Sequence, residues 1–416
     1  GCGANMYGNV NRKRHPKGGT YRDYFYYACK HPTGTTGHKC DYHKQWGQDI
    51  VNDAVAELIK KMVTSPDFEK GIREKIAARV DTSELEQELD GLKKKMRQLE
   101  VSKDKIAIQM DNLDVTDSMY EKKYDDLQKR FYDKYDECKA IIDEADECMD
   151  FDLKKILFEE NDLINKTEYT QAAMLAAECC ILKAVEMKGI KADITAGLSL
   201  GEYAALVAAR AISFSDAMKL VRKRGIYMEK EVPAGKGGMA AVIGLDSKII
   251  DDICEKITKE SGKSVAAANY NCPGQIVISG YKESVEAAVE PLKEAGAKLV
   301  SILNVSGPFH SQMLKGAGEK LGVELKNVEF NDPEIPYLNN VAAEIVTTKD
   351  SIKETLERQV YSPVRWEQCV NKMIEEGVDL FYEIGPGKTL AGFMKRIDRS
   401  KKVITINTVE DLEGVN

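Results

Sequence analysis

The chain has 416 residues, 43% of them hydrophobic, and 68 acidic against 60 basic side chains give a formal net charge of −8. That length predicts two or three domains with a real core. No apolar run approaches the about 18 residues that a membrane span needs, and no secretory leader is present, so a membrane partner is not expected and the cytoplasm is the expected location. The ten cysteines are scattered without a disulfide framework, which also fits a reducing compartment. The chain starts Gly1-Cys2-Gly3 rather than with Met, and reads as a fragment or as a chain cut at its start.

Charge is unevenly placed. Residues 1–46 carry eight Lys and Arg against two Asp and Glu, ahead of an acidic body. A basic head on an acidic body predicts two origins and two kinds of partner. Residues 1–63 read as a basic module with cysteines. Cys2-Gly3 has the form of the second half of a C-x-x-C-G knuckle. Tyr21 to Cys29 is aromatic-rich and reads as a strand ending on a cysteine, and a turn-rich loop through Pro32, Gly34 and Gly37 leads to Cys40. Cysteine pairs brought together by a hairpin make a tetrahedral zinc site, so Cys2, Cys29 and Cys40 are candidate ligands. The fourth is either a cysteine not in this chain, the favoured reading, or one of His31, His38 and His43; free cysteines in a loop are the bland alternative. Arg12, Lys13, Arg14, Lys17, Lys30, Lys39 and Lys44, interleaved with Tyr24, Phe25, Tyr26 and Tyr27, suit either phosphate contacts or a solvated basic face.

Residues 64–130 carry a heptad seam. Leu85, Leu89, Leu92, Met96, Leu99, Lys103, Ile106, Met110 and Leu113 step by four and three, the spacing of a coiled coil. Ser83-x-x-Glu86 and Ser118-x-x-Glu121 are capping boxes on either side of a break at 111–116, which predicts an antiparallel helical hairpin. With these stretches in view, residues 1–130 resemble the C-terminal region of large serine recombinases, a zinc ribbon carrying an inserted coiled coil. The stretches that carry it are Met6-Tyr7-Gly8-Asn9, Tyr24-Phe25-Tyr26-Tyr27-x-Cys29-Lys30 and His38-x-Cys40-Asp41-Tyr42-His43-Lys44. The resemblance implies zinc, DNA contact by the ribbon and protomer pairing by the coiled coil. The recombinase nucleophile domain is absent, so no strand transfer is implied.

From about Phe131 the character changes. Helical patterns cover 131–149 and 152–158, and Thr170 to Lys188 reads as a buried helix. A short apolar stretch, Lys191 to Ala196, then leads into Gly197-Leu198-Ser199-Leu200-Gly201 and an alanine-rich helix. Strand, tight turn and helix around Gly-x-Ser-x-Gly is the setting of a nucleophile elbow; a glycine-rich loop before a helix is the bland alternative. Ser213 to Met228 is a further helix. Strands at 239–245, 265–271, 275–281 and 298–305, with helices at 247–260 and 282–295, give the βαββαβ order of a ferredoxin-like subdomain, set at 232–305. Strands at 335–341, 380–384 and 403–407, with helices at 353–359 and 366–376, return the chain to the larger α/β layer.

A serine hydroxyl needs a base near neutral pKa. His310 is the one histidine after residue 43; it is either that base or a structural residue in a turn. Val221-Arg222-Lys223-Arg224-Gly225 offers a guanidinium for a carboxylate, or a surface charge, and the pattern does not choose among its cations.

Residues 131–410 resemble the malonyl-CoA:acyl carrier protein transacylase family. The stretches that carry this are 197–203, Arg224-Gly225, 238–245, 271–280, Pro308-Phe309-His310, Asn339-Asn340-Val341, 358–366 and Glu383 to Lys388. The resemblance implies an α/β acyltransferase fold, an α/β-hydrolase-like parallel sheet with the inserted ferredoxin-like subdomain. It implies Ser199 as nucleophile, His310 as base, Gln359 as the residue whose main-chain carbonyl orients that imidazole, and Arg224 as the anchor of the malonyl carboxylate. It implies Leu200 N–H as an oxyanion donor and Phe309 as a wall favouring malonyl over a branched homologue. Malonyl-CoA and acyl carrier protein are then the partners, with Lys388 and Lys395 meeting the acidic carrier, and no cofactor is needed for the transfer.

Two departures stand out. Leu198 replaces the histidine common before the nucleophile. The family's opening strand and Gly-Gln-Gly-x-Gln loop, which supply a second oxyanion donor, cannot lie in 92–188, where no glycine occurs. The chain therefore reads as two unrelated coding segments joined near Arg130-Phe131. The alternatives to an active transferase are a DNA-binding or pairing fragment and an inactive hybrid.

Overall fold

The structure is a computed structural model that describes residues 6–13, 22–29, 46–65, 70, 129–159, 161–233, 235–305 and 307–415. The chain divides into two compact units, Gly1–Lys95 and Met96–Asn416. In the first, strands β1 (Met6–Lys13) and β2 (Arg22–Cys29) pair antiparallel, with Met6 opposite Cys29. A short β3 (Trp46–Gly47) adds to β2 and leads into helix α1 (Gln48–Val63). The strand expected at 21–29 is found; no helix was expected at 48–63. Its periodic signal was there, in Val51, Val55, Leu58 and Met62. The side chains Ile50, Leu58 and Val63 of α1 are exposed. The seam at 85–113, Cys2, Cys40 and the three candidate histidine ligands lie outside the described residues, as do the side-chain surroundings of Cys29.

The second unit is built around one helix. Helices α2 (Asp136–Glu147) and α3 (Leu153–Phe158) precede α4 (Thr167–Met187). Asp152 caps α3 by accepting from the Lys155 N–H at 2.8 Å, a bond that a helix start leaves wanting. In α4, Ala172, Ala173, Leu175, Ala176, Ala177, Cys180 and Ile181 are buried on every side, as befits a helix that is apolar all round. After β4 (Thr195–Ala196) come α5 (Gly201–Ala208) and α6 (Phe214–Glu231). Helix α6 lies hard against α4. At Gly225 an added Cβ would stand 2.7 Å from Glu168 Cα and 2.8 Å from Thr167 O, so the crossing tolerates only glycine at this point.

The ferredoxin-like subdomain is present. Strands β5 (Gly237–Ile243), β6 (Val265–Cys272), β7 (Gln275–Tyr281) and β8 (Leu299–Ile302) form an antiparallel sheet in the order β6-β7-β5-β8. Helices α7 (Ser247–Ser261) and α8 (Lys282–Glu294) complete the βαββαβ order. Val242, Ile250, Cys254, Ile276, Ile278, Ala288 and Leu292 fill the space between helices and sheet. The subdomain is tied to the body by main chain: Tyr270 N–H donates to Val364 O at 2.9 Å and Val364 N–H to Ala268 O at 2.8 Å.

The larger layer continues with α9 (Lys315–Lys326), β9 (Tyr337–Leu338), β10 (Ile345–Val346), α10 (Ile352–Gln359), α11 (Trp366–Glu375), β11 (Leu380–Ile384), α12 (Thr389–Ile397), β12 (Lys402–Ile406) and α13 (Val409–Glu413). The expected parallel sheet takes the form of two separate parallel pairings. Strand β4 pairs with β9, which pairs antiparallel with β10, and β11 pairs with β12. The strands expected at 191–196 and 335–341 each contract to two residues. Pro336 has no N–H for a ladder, and its carbonyl takes the Thr195 N–H at 2.9 Å; Asn339 opens a turn, its side-chain oxygen taking the Ala342 N–H, and the Asn340 N–H donates to the Glu202 carboxyl rather than to a neighbouring strand. Among the described residues no helix is long and apolar enough to cross a membrane.

The α4–α6 crossing gives a stability test. Gly225→Ala forces a methyl group into main chain and is expected to lower the stability of the folded protein by about 1–3 kcal/mol, read as a lower urea midpoint. An unchanged midpoint would contradict the close approach.

Candidate active site

The site begins at the turn between β4 and α5. At Gly197 a Cβ would fall 1.9 Å from the Gly201 carbonyl oxygen, so the bend requires a hydrogen there. Ser199 has φ of 53°, the left-handed region that a side chain enters only when its surroundings insist. Asn340 supplies that insistence. Its Oδ1 accepts the Ser199 N–H at 2.6 Å and its Nδ2 donates to Gly197 O at 2.8 Å, so one amide straddles the elbow.

His310 also has a positive φ, 56°, and is 5% exposed. Its Nε2 lies 2.6 Å from Ser199 Oγ and its Nδ1 lies 2.8 Å from the main-chain oxygen of Gln359. A carbonyl only accepts, so Nδ1 carries the proton and Nε2 is left as the acceptor of the serine hydroxyl. Burial, and next the Arg224 guanidinium, push the imidazole down to about 4, against the main-chain hydrogen bonds at Gln359 and Ser362. The imidazole is therefore neutral throughout the physiological range.

Arg224 closes the constellation. It projects from α6 and is 2% exposed. One terminal nitrogen donates to Gln171 Oε1 at 2.8 Å; the other donates to Gln359 Oε1 at 3.1 Å and Ser199 Oγ at 3.2 Å. Its guanidinium lies 5.9 Å from the centre of the Tyr203 ring, and its Nε has no partner. Among the described residues no carboxylate reaches it. Burial lowers its pKa, and Tyr203 and Glu202 oppose that. A buried cation without a contacting anion is poised to take one from a ligand. Of the cations at 222–224, Arg222 is committed elsewhere, to Asp150 at 2.8 Å and Glu168 at 2.9 Å, while Lys223 is exposed.

The other expected residues fall nearby. Leu200 precedes α5, where N–H groups lack intrahelical acceptors. Phe309, half-buried beside His310, packs with Met239, Ala268 and Val277 of the small sheet. Lys388 and Lys395 are exposed. Among the described residues no group of three or more His, Cys, Asp or Glu could hold a metal.

The sequence reading assigned no part to Gln171, Asn340 or Glu202. Gln171 was signalled faintly, as an amide within an alanine-rich helix. Glu202 is fully buried and accepts from Gln359 Nε2 at 2.7 Å and from the Asn340 N–H at 3.0 Å.

A serine bonded to a neutral imidazole, beside an unpaired buried guanidinium on a split α/β body, defines an enzyme that moves acyl groups. Comparison with known proteins agrees. Residues 126–410 match the family described as the acyl transferase domain, and the chain belongs to that family. A "Malonyl CoA-acyl carrier protein transacylase" of Bacillus subtilis (strain 168) is 46% identical over 288 residues, 69% of this chain and 90% of that relative. A crystal structure of an acyl carrier protein S-malonyltransferase from Vibrio cholerae O1 biovar eltor str. N16961 is 40% identical, with a TM-score of 0.68 over 70% of this chain and 95% of that one. A malonyl-transacylase solved in complex with its type II PKS acyl-carrier protein is 39% identical, with a TM-score of 0.67 over 69% of this chain and 93% of that one.

The depressed imidazole predicts a pH profile. Because His310 is held below the ordinary 6.5, its base form survives as pH falls past 6.5 and is lost toward about 4. The rate of acyl transfer to Ser199 should share that low acid limb, and a limb centred on 6.5 would contradict the buried geometry.

Proposed function

We propose that the chain transfers malonyl groups from CoA to the phosphopantetheine thiol of acyl carrier protein, in fatty acid synthesis. The observation that carries this is the 3.2 Å approach of a buried, carboxylate-free guanidinium to a serine oxygen that is itself 2.6 Å from an imidazole. Ser199 Oγ attacks the thioester carbonyl carbon while His310 Nε2 takes the hydroxyl proton. The C–S bond breaks, and the same imidazole returns the proton to the CoA sulfur. The second half reverses the roles: the carrier thiol gives its proton to His310, its sulfur attacks the Ser199 ester, and Oγ leaves with the proton. Arg224 holds the free malonyl carboxylate bidentately, the Leu200 N–H steadies the oxyanion, and Phe309 limits branching beside the acyl carbon. Lys388 and Lys395 meet the acidic carrier. None of these steps calls for a cofactor. The described Cys138, Cys148, Cys179, Cys180, Cys254 and Cys369 are free thiols, which supports a reducing, cytoplasmic setting.

The test is direct. Protein incubated with malonyl-CoA is expected to gain one malonyl mass on the Ser199 peptide, and Ser199→Ala to gain none; wild type that stays unlabelled removes the proposal. Where the Leu200 N–H acts without a second oxyanion donor, turnover is expected about 10²–10³ lower than with two.

For residues 1–130 a second reading is favoured by one observation, the antiparallel hairpin that sets Cys29 opposite Met6, four positions after Cys2. We propose that this segment is recombinase-derived, joined to the transferase near Arg130, and that Cys2, Cys29 and Cys40 bind zinc and so shape a basic DNA-contacting surface beside a coiled coil. Purified full chain should then carry one zinc per chain and shift DNA with an affinity that falls steeply with salt. Metal-free protein that binds no DNA at low salt would leave the transferase as the whole of the function.

A further inference from the structure

Glu202 opens helix α5 three residues after Ser199. A first-turn acid usually stays in water, yet this one is fully buried. Its Oε2 accepts two hydrogen bonds, from the Asn340 N–H and Gln359 Nε2, while Oε1 has none. Burial pushes its carboxyl up to about 7, against those two donors and Arg224. Burying a carboxylate is costly unless its neighbours make use of it.

The use runs through Gln359. An amide has one end that accepts and one that donates. The donor end of Gln359 is engaged twice, by Glu202 Oε2 at 2.7 Å and by the main-chain oxygen of Ser199 at 2.9 Å. Turning the amide over would set its oxygen against two others. Its Oε1 is therefore fixed on Arg224, at 3.1 Å. Arg224 is thus aimed at Ser199 by two neutral amide oxygens, those of Gln171 and Gln359. The carboxyl group of Glu202 stands one side chain further back. A carboxylate in direct contact would pair with the guanidinium and compete with an acidic acyl group. Glu202 aims Arg224 without competing for it.

We propose that Glu202 is a positioning residue for substrate choice: acting through the Gln359 amide, it holds Arg224 toward Ser199 with its charge free for a carboxylate-bearing acyl group. The inference rests on the roles given above to Ser199, His310 and Arg224, and adds a residue that touches neither substrate nor reacting atoms.

The experiment measures kcat/KM for malonyl-CoA and for acetyl-CoA in the full chain, wild type and Glu202→Gln, at one pH, with melting temperatures alongside. Glutamine keeps the size of the side chain but removes its charge and offers Gln359 a donor, so the Gln359 amide is free to turn. The expected result is a loss of about tenfold or more with malonyl-CoA, the scale of a displaced binding group, and a much smaller loss with acetyl-CoA. Preference for the acidic acyl group then narrows. Equal losses with both substrates would overturn the proposal, since Glu202 would then support only the fold or the base; no loss with either would overturn it as well. If Glu202→Gln fails to fold, Glu202→Asp, with the charge drawn back by one methylene, is read by the same ratio. Wild type that labels Ser199 but shows no preference for malonyl-CoA would overturn the role of Arg224 and this inference with it, leaving Ser199 and His310 in place. Wild type that labels with neither acyl-CoA would defeat the transferase reading itself.

Discussion

A guanidinium buried without a carboxylate against it is the constraint that organises this protein. Taking a charge out of water costs several kcal/mol even after relaxation, so Arg224 must be held by every other means at hand. Gly225 lets α6 come close to α4, which brings Gln171 within 2.8 Å. The Tyr203 ring lies 5.9 Å from the guanidinium carbon, a distance at which a ring attracts a cation. Gln359 reaches back from the end of α10 to take the second terminal nitrogen. Three parts of the chain far apart in sequence are thus committed to one side chain.

Gln359 is shared with the proton-transfer side of the site. Its main-chain oxygen holds His310 while its side chain holds Arg224 and the Ser199 carbonyl. Both Ser199 and His310 sit in the left-handed backbone region, each at a cost of about 1–3 kcal/mol. Such conformations persist only where tertiary contacts over-determine them. Here Asn340 clamps one and Gln359 the other, and Glu202 joins the two clamps. Ser199, His310 and Arg224 are therefore fixed as a unit.

How much of this was legible in the sequence follows the range of the interactions. The small sheet was readable as an order of elements because its strands are apolar runs punctuated by Gly262, Gly274 and Gly296; β6 and β7 were placed closely, whereas β5 lies two residues earlier and β8 is half as long as expected. The elbow was readable because Gly197 and Gly201 meet each other within one turn. The short strands β4 and β9 were overdrawn: Pro336 and the paired asparagines after it interrupt the ladder, an effect that apolar content conceals. Glu202 gains no role from the sequence because its partners Asn340 and Gln359 lie 138 and 157 positions away. His310 and Arg224 were candidates by residue type alone; only the family resemblance gave them roles, and only packing shows them converging on one hydroxyl. The apolar spacing of helix α1 is weak beside the cysteines and basic residues that precede it, whose pattern is that of a metal module.

Phe309 and His310 are adjacent in the chain, and the phenyl ring faces both layers. It packs against Met239, Ala268 and Val277 of the small sheet and against the core of the large layer, while the imidazole is bound to Ser199 and Gln359 of the large layer. One dipeptide thus spans the seam between the two. Cutting back Phe309 therefore disturbs both layers at the point where His310 is seated, so side-chain size at 309 and placement of the imidazole are mechanically linked.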